Sequence, residues 1–178
     1  MFVLGVDPGL SRCGYAVVEA GRRNKARAVA LGVIRTSPAN DVPARLAELQ
    51  RELRALLDEY RPIVVSVERI FFQNNVRTAV GVAQASGLAL AEAAARQVSV
   101  VQYSPSAVKS VVAGDGRADK TQVQTMVQIL LGLAGPPKPA DAADAAALAL
   151  CHLAHDPGLR AARLDQRIGA DGGREVAW

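Results

Sequence analysis

The sequence predicts an α/β domain, with a central mixed five-stranded sheet flanked by helices, and three observations carry that expectation. Residues 2–6 are apolar without interruption, and residues 63–67 are apolar except for Ser66, as in short strands buried on both faces of a sheet. From Pro43 to Tyr60, leucines at 46, 49, 53, 56 and 57 recur at helical spacing, with Arg and Glu filling the other face. Half of the 178 residues are hydrophobic, which suits one compact domain with a buried core.

In chain order, the first apolar run ends at Asp7. Arg12 to Glu19 and Ala26 to Thr36 read as two further strands joined through the polar Gly21-Arg22-Arg23-Asn24-Lys25, so the chain opens as a three-stranded meander. The helix over 43–60 then crosses to the strand that ends at Glu68. Asn75 to Gln97, rich in Ala and carrying Gly81 and Gly87, predicts a long helix whose small residues permit close packing against another helix or subunit. Ser99 to Tyr103 is a further short strand. Lys120 to Leu131 and Asp141 to His155 are helices separated by the stiff Gly135-Pro136-Pro137-Lys138-Pro139. Past Asp156-Pro157-Gly158 no periodic apolar face continues. Residues 1–156 are therefore expected to form the domain and 157–178 a flexible C-terminal tail.

No run approaches the ~20 apolar residues of a membrane helix, and no basic leader precedes the first strand, so a cytoplasmic location away from membranes is expected. Cys13 and Cys151 form no CxxC or CxxH pair, which argues against a disulfide framework or a zinc site. The net charge of +4 favours a polyanionic partner.

The acids carry the chemistry. Two core strands each end in a carboxylate, and if the crossover makes those strands parallel neighbours, Asp7 and Glu68 emerge at one sheet edge, where open α/β sheets place ligands. Asp141 and Asp144 are three apart and share one helix face, with alanines around them that permit close approach to the sheet. Singly, Asp7 before Pro8-Gly9 reads as a turn residue, and Asp141 with Asp144 as helix-start acids; Glu68, ending an apolar strand, has no such local role. Crowded carboxylates repel unless cations hold them together. Hard oxygen donors suit Mg²⁺, and two such ions, for which Mn²⁺ can substitute, support in-line attack of water on a phosphodiester. Departure of the 3′ oxygen then leaves a 5′-phosphate and a 3′-hydroxyl. His152 and His155, also three apart, read as helix-end histidines favoured by the dipole.

Gly5-Val6-Asp7-Pro8-Gly9, followed by Ser11-Arg12-Cys13-Gly14-Tyr15-Ala16, together with Val67-Glu68 and Ala140-Asp141-Ala142-Ala143-Asp144-Ala145, closely resembles the RuvC family of crossover (Holliday) junction endodeoxyribonucleases over about residues 1–156. The resemblance implies an RNase H-like fold, a homodimer, divalent-metal dependence and paired symmetric nicks in four-way DNA junctions during homologous recombination and DNA repair. It places Asp7, Glu68, Asp141 and Asp144 at the four acidic catalytic and metal-binding positions. The third of these is His in some members and Asp here, which leaves the general base open. Lys120, in Ala118-Asp119-Lys120, and Lys109, in Ser106-Ala107-Val108-Lys109, match basic positions near the DNA, where either can hold a phosphate or stabilise developing charge. Phe71 matches the aromatic that stacks on an unpaired junction base, with Phe72 beside it, and Arg77 is a candidate backbone contact. The resemblance further implies delivery of the junction by the RuvA–RuvB branch-migration complex.

A C2 dimer presents two identical sites related by the two-fold symmetry that a four-way junction itself approximates, and the 75–97 helix is the candidate interface. Three other readings compete with this one. An actin-like sugar kinase shares the opening strand and Asp-x-Gly turn but needs a longer, two-domain chain. An RNase H-like nuclease acting on RNA shares the N-terminal motif but not Asp141-Ala142-Ala143-Asp144 with the Phe71 loop. A non-catalytic junction-binding protein does not require intact acids at all four positions.

Overall fold

The computed structural model describes residues 1–21, 25–70 and 76–155; the expected tail over 157–178 lies outside them. The elements follow the order β1 (Phe2–Asp7), β2 (Arg12–Ala20), β3 (Ala26–Arg35), α1 (Val42–Tyr60), β4 (Val64–Glu68), α2 (Val76–Ala95), β5 (Ser99–Tyr103), α3 (Pro105–Ala113), α4 (Lys120–Leu131) and α5 (Ala140–His155). The strands stand side by side as β3-β2-β1-β4-β5. Pairs β1–β2 and β2–β3 are antiparallel, whereas β1–β4 and β4–β5 are parallel. This is the mixed five-stranded sheet that the apolar runs and the meander predict.

Each face of the sheet has its own core. Leu4, Val6, Val17, Val65 and Val67 pack beneath α1 and α2, against Leu49, Leu53, Leu57, Ala85, Ala89 and Ala93. On the other face, Val3, Ala16 and Val18 meet α5, with Val108, Val123 and Val127 of α3 and α4 completing that layer. α5 lies unusually close to the strands because glycines receive it. A Cβ on Gly5 would stand 2.0 Å from the carbonyl oxygen of Ala145, and one on Gly14 would stand 2.1 Å from that of Asp141. Ser66, the polar residue inside β4, is satisfied by the same approach, since its buried Oγ donates to the carbonyl of Leu148 at 2.9 Å.

The structure adds one helix, α3, to the expected set. Its start is locally encoded: Ser104 caps it by accepting from the amide of Ala107, Pro105 occupies the first turn, and Gly114 ends it at a φ of 79°. α4 is framed in the same way by a capping box between Asp119 and Gln122 and by Gly132 at a φ of 62°.

α1 and α2 are clasped by a buried charge. Glu92, 6% exposed, accepts from Arg54 at 2.9 Å and from Arg96 at 2.7 Å, and also from the amide of Gln50. Arg96 in turn bridges to Asp58 at 2.7 Å. Removing the acid leaves the Arg96 guanidinium, itself only 24% exposed, without its inner partner. Glu92→Ala is expected to lower stability by about 1–3 kcal/mol, measured as a fall in the urea midpoint at unchanged slope.

Candidate active site

Parallel pairing of β1 and β4 holds Val6 opposite Val67, so the next residue of each strand, Asp7 and Glu68, leaves the sheet at the same edge. α5 lays its first turns over that edge, because Gly14, the ladder partner of Asp7, admits the backbone of Asp141. Asp144 follows one turn later. The capped start of α4 supplies Lys120, whose Nζ donates to Asp144 Oδ2 at 3.1 Å, and α3 supplies Lys109. The result is a cleft of about 280 Å³ lined by Asp7, Glu68, Asp144, Lys109 and Lys120, with Pro105, Val108, Val123, Ala147 and Leu148 as its apolar wall.

The carboxylates are short of positive charge. Burial pushes the Asp7 carboxyl up to about 7, and Glu68, Asp144 and Asp141 push it in the same direction, against the pull of Lys120. Glu68 is also raised, first by burial and then by Asp144, again with Lys120 opposing. Lys120 is raised in return by its hydrogen bond to Asp144 and stays charged. An acid that retains its proton to neutrality among other acids marks a site that gains from a further cation.

Asp141 is turned differently. Its Oδ2 accepts from Nε of Arg12 at 3.0 Å and also from Nη2, and it stands beside the cleft without lining it. Among the described residues no three His, Cys, Asp or Glu side chains are gathered closely enough to grip a metal ion as they stand. Arg12 and Lys120 occupy the outer acids, and Asp7, Glu68 and Asp144 face one another across the cleft. The donor set is nevertheless all carboxylate oxygen and lacks positive charge, which fits a hard divalent cation.

Of the residues singled out from sequence, the structure thus brings Asp7, Glu68, Asp144, Lys109 and Lys120 into one cleft and Asp141 to its rim. Phe71 and Phe72 lie outside the described residues, as does the side chain of Arg77, whose backbone belongs to α2. His152 and His155 sit in the last turn of α5. There the Tyr103 hydroxyl meets His152 Nδ1 at 3.1 Å and the Tyr103 ring stacks on His155, next to the strand end that carries Glu68, the ladder partner of Tyr103. Arg12, the partner of Asp141, is the side chain of this edge that the sequence reading leaves out of the candidate site. Its signal was positional, since a residue opening the strand antiparallel to β1 must stand at the edge where Asp7 ends.

The family model for crossover junction endodeoxyribonuclease RuvC matches residues 3–152. The chain belongs to the RuvC family. A crossover junction endodeoxyribonuclease RuvC from Salinispora arenicola is 52% identical over 86% of this chain and 87% of the relative. One from Parafrankia sp. is 50% identical over 98% and 99%. Among solved structures, Thermus thermophilus RuvC in complex with Holliday junction substrate superposes with a TM-score of 0.84 at 35% identity, covering 91% of this chain and 97% of that one. The fold is the RNase H-like nuclease fold of RuvC. RuvC nucleases are divalent-metal dependent, in keeping with the charge deficit at Asp7. No helix among the described residues is long and apolar enough to cross a membrane.

Proposed function

We infer that the protein is a Holliday junction resolvase, a metal-dependent endonuclease that makes paired symmetric nicks in four-way DNA junctions during homologous recombination and repair. The observation that carries the reading is the junction of β1, β4 and α5, where Asp7, Glu68 and Asp144 line one cleft with Lys109 and Lys120 in a chain of RuvC sequence.

Asp7, Glu68, Asp144 and, after release from Arg12, Asp141 are the proposed ligands of Mg²⁺, two ions per site with Mn²⁺ able to substitute. Bound there, the metal supplies positive charge to the scissile phosphate and acidity to water. The chain's own groups do the rest. Lys120 neutralises Asp144 and, standing at the mouth of the cleft, faces the charge that develops on the phosphate. Lys109 holds a neighbouring phosphate. The apolar wall of Val108, Val123 and Leu148 limits water around these groups and so strengthens each interaction. Cleavage leaves a 5′-phosphate and a 3′-hydroxyl. Phe71 stacks on an unpaired base, worth on the order of 1–3 kcal/mol, with Phe72 and Arg77 as further DNA contacts. The domain spans residues 1–156 and acts in the cytoplasm, on junctions delivered by the RuvA–RuvB complex.

The active unit is a homodimer. Val80, Gln84, Gly87, Ala91 and Ala94 form an exposed stripe along α2, and a Cβ on Gly87 would meet nothing within 4 Å inside its own subunit. Gly87→Leu therefore leaves the subunit's packing alone and blocks close approach of a second copy. On a supercoiled plasmid with an extruded cruciform, the wild type is expected to give linear product from two coordinated nicks. The Gly87→Leu variant is expected to sediment as a monomer and give open circles. A linear product from a monomeric variant would count against the paired-site reading.

A further inference from the structure

A second group of cations stands on the far side of the carboxylates from Lys109 and Lys120. Arg12 opens β2, Arg35 closes β3, and the two are direct partners in the antiparallel ladder, so their side chains leave the same face of the sheet with Cα atoms ~4.5–5.5 Å apart. That face is the one covered by α5, since Gly14, two residues on from Arg12, meets the backbone of Asp141. Like charges placed directly opposite work against strand pairing. Arg35 is exposed, and its side chain makes no hydrogen bond or ion pair among the described residues. Arg12 gives Nε and Nη2 to the same Asp141 oxygen, and its side chain remains 45% exposed, leaving the rest of a five-donor guanidinium free to bind an anion.

We propose that Arg12 and Arg35 form a clamp for a DNA backbone phosphate beside the one that is cut, on the β2–β3 side of the cleft. The proposal rests on the resolvase reading and adds a binding site to it. Paired guanidinium forks suit the oxygens of a phosphate better than ammonium groups do. With Lys109 and Lys120 on one side and this pair on the other, a strand crossing the cleft is gripped on both sides of the acids that would otherwise repel it. A phosphate seated on Arg12 competes with Asp141 for the guanidinium, so seating the strand releases the acid that is proposed to join the metal ligands.

The test is equilibrium binding of a labelled four-way junction in EDTA, where no strand is cut, across a salt series. Among the described residues the exposed Arg35 side chain has no hydrogen-bond or ion-pair partner, so Arg35→Gln is expected to act on binding and not on folding. This variant is expected to weaken junction binding several-fold and to reduce the slope of log K against log salt by about one. Arg35→Lys is expected to keep the slope and lose part of the affinity. Arg12→Gln should resemble Arg35→Gln, with its folding checked by thermal melt. Lys25→Gln, at the opposite end of the β2–β3 hairpin, serves as the control and is expected to match the wild type. An Arg35→Gln variant with wild-type slope and affinity overturns the clamp and leaves the resolvase reading standing. A wild-type protein that shows no preference for the four-way junction over duplex overturns both.

Discussion

Asp7→Asn is expected to abolish junction cleavage, by roughly 10³-fold or more, and at the same time to stabilise the metal-free protein. The two effects share one cause. Asp7 is the acid most deeply placed among the others, and its carboxyl is pushed from 3.8 to about 7 by burial and by Glu68, Asp144 and Asp141. Its removal takes away a central carboxylate of the cleft, a loss at least as large as the ~10²–10³ that follows removal of one transition-state donor. In the stability of the protein the sign is reversed. The folded chain holds this proton up to about pH 7, whereas the unfolded chain releases it near 3.8, so between those values the folded state binds more protons. Wild-type stability therefore falls as pH rises through this window, and the penalty is complete above about pH 7. Asparagine carries no such penalty. In EDTA at pH 8 the variant should be more stable by on the order of 2–4 kcal/mol, with no gain below pH 4, and millimolar Mg²⁺ should narrow the gap by stabilising only the wild type. Thermal melts of both proteins across pH, with and without metal, check each part.

Lys120→Met is expected to slow cleavage by about 100-fold at neutral pH and to displace the acidic limb of the pH–rate profile upward. Lys120 is the cation that lowers both Asp7 and Glu68, and its Nζ bonds Asp144 at 3.1 Å. Without it both inner carboxyls hold their protons to higher pH, and ionisation of the site must wait for a more alkaline solution. Part of the lost rate should return as pH is raised toward 9. A variant slowed equally at every pH would mean that Lys120 acts on the substrate phosphate alone. Its exposed position, with the side chain 71% accessible, makes misfolding an inadequate explanation of either result.

Much of this site was legible because its determinants are local. Apolar runs that stop at Asp7 and Glu68 announce strand ends, and the leucine period that marks α1 identifies the crossover that makes β1 and β4 parallel. α4 and β5 occupy the spans expected for them, Lys120–Leu131 and Ser99–Tyr103; Asp119 and Gly132 frame the helix. α3 carried an equally local signal in Ser104-Pro105 and Gly114, but its nine residues span little more than two turns, too few for a helical period to be read.

What sequence pattern alone could not supply depends on register and on contacts far apart in the chain. Gly5 and Gly14 read as motif glycines, yet their task is to admit the backbone of Ala145 and Asp141, more than a hundred residues away. The same contact decides the fate of Asp141. Spacing places it on one helix face with Asp144, but only the start of β2, brought under α5 by the ladder, reveals Arg12 as its partner. Arg35 in turn acquires meaning only through its register with Arg12.

The most direct test of the central claim is strand cleavage by the wild-type protein on a synthetic four-way junction with a mobile core, resolved on a denaturing gel in Mg²⁺ and in EDTA, with Asp7→Asn alongside. Cuts at symmetric positions on two opposed strands, present only with metal and absent in the variant, are the predicted result. Junctions that are bound but stay whole under every divalent metal would contradict the catalytic assignment and leave a junction-binding role in its place.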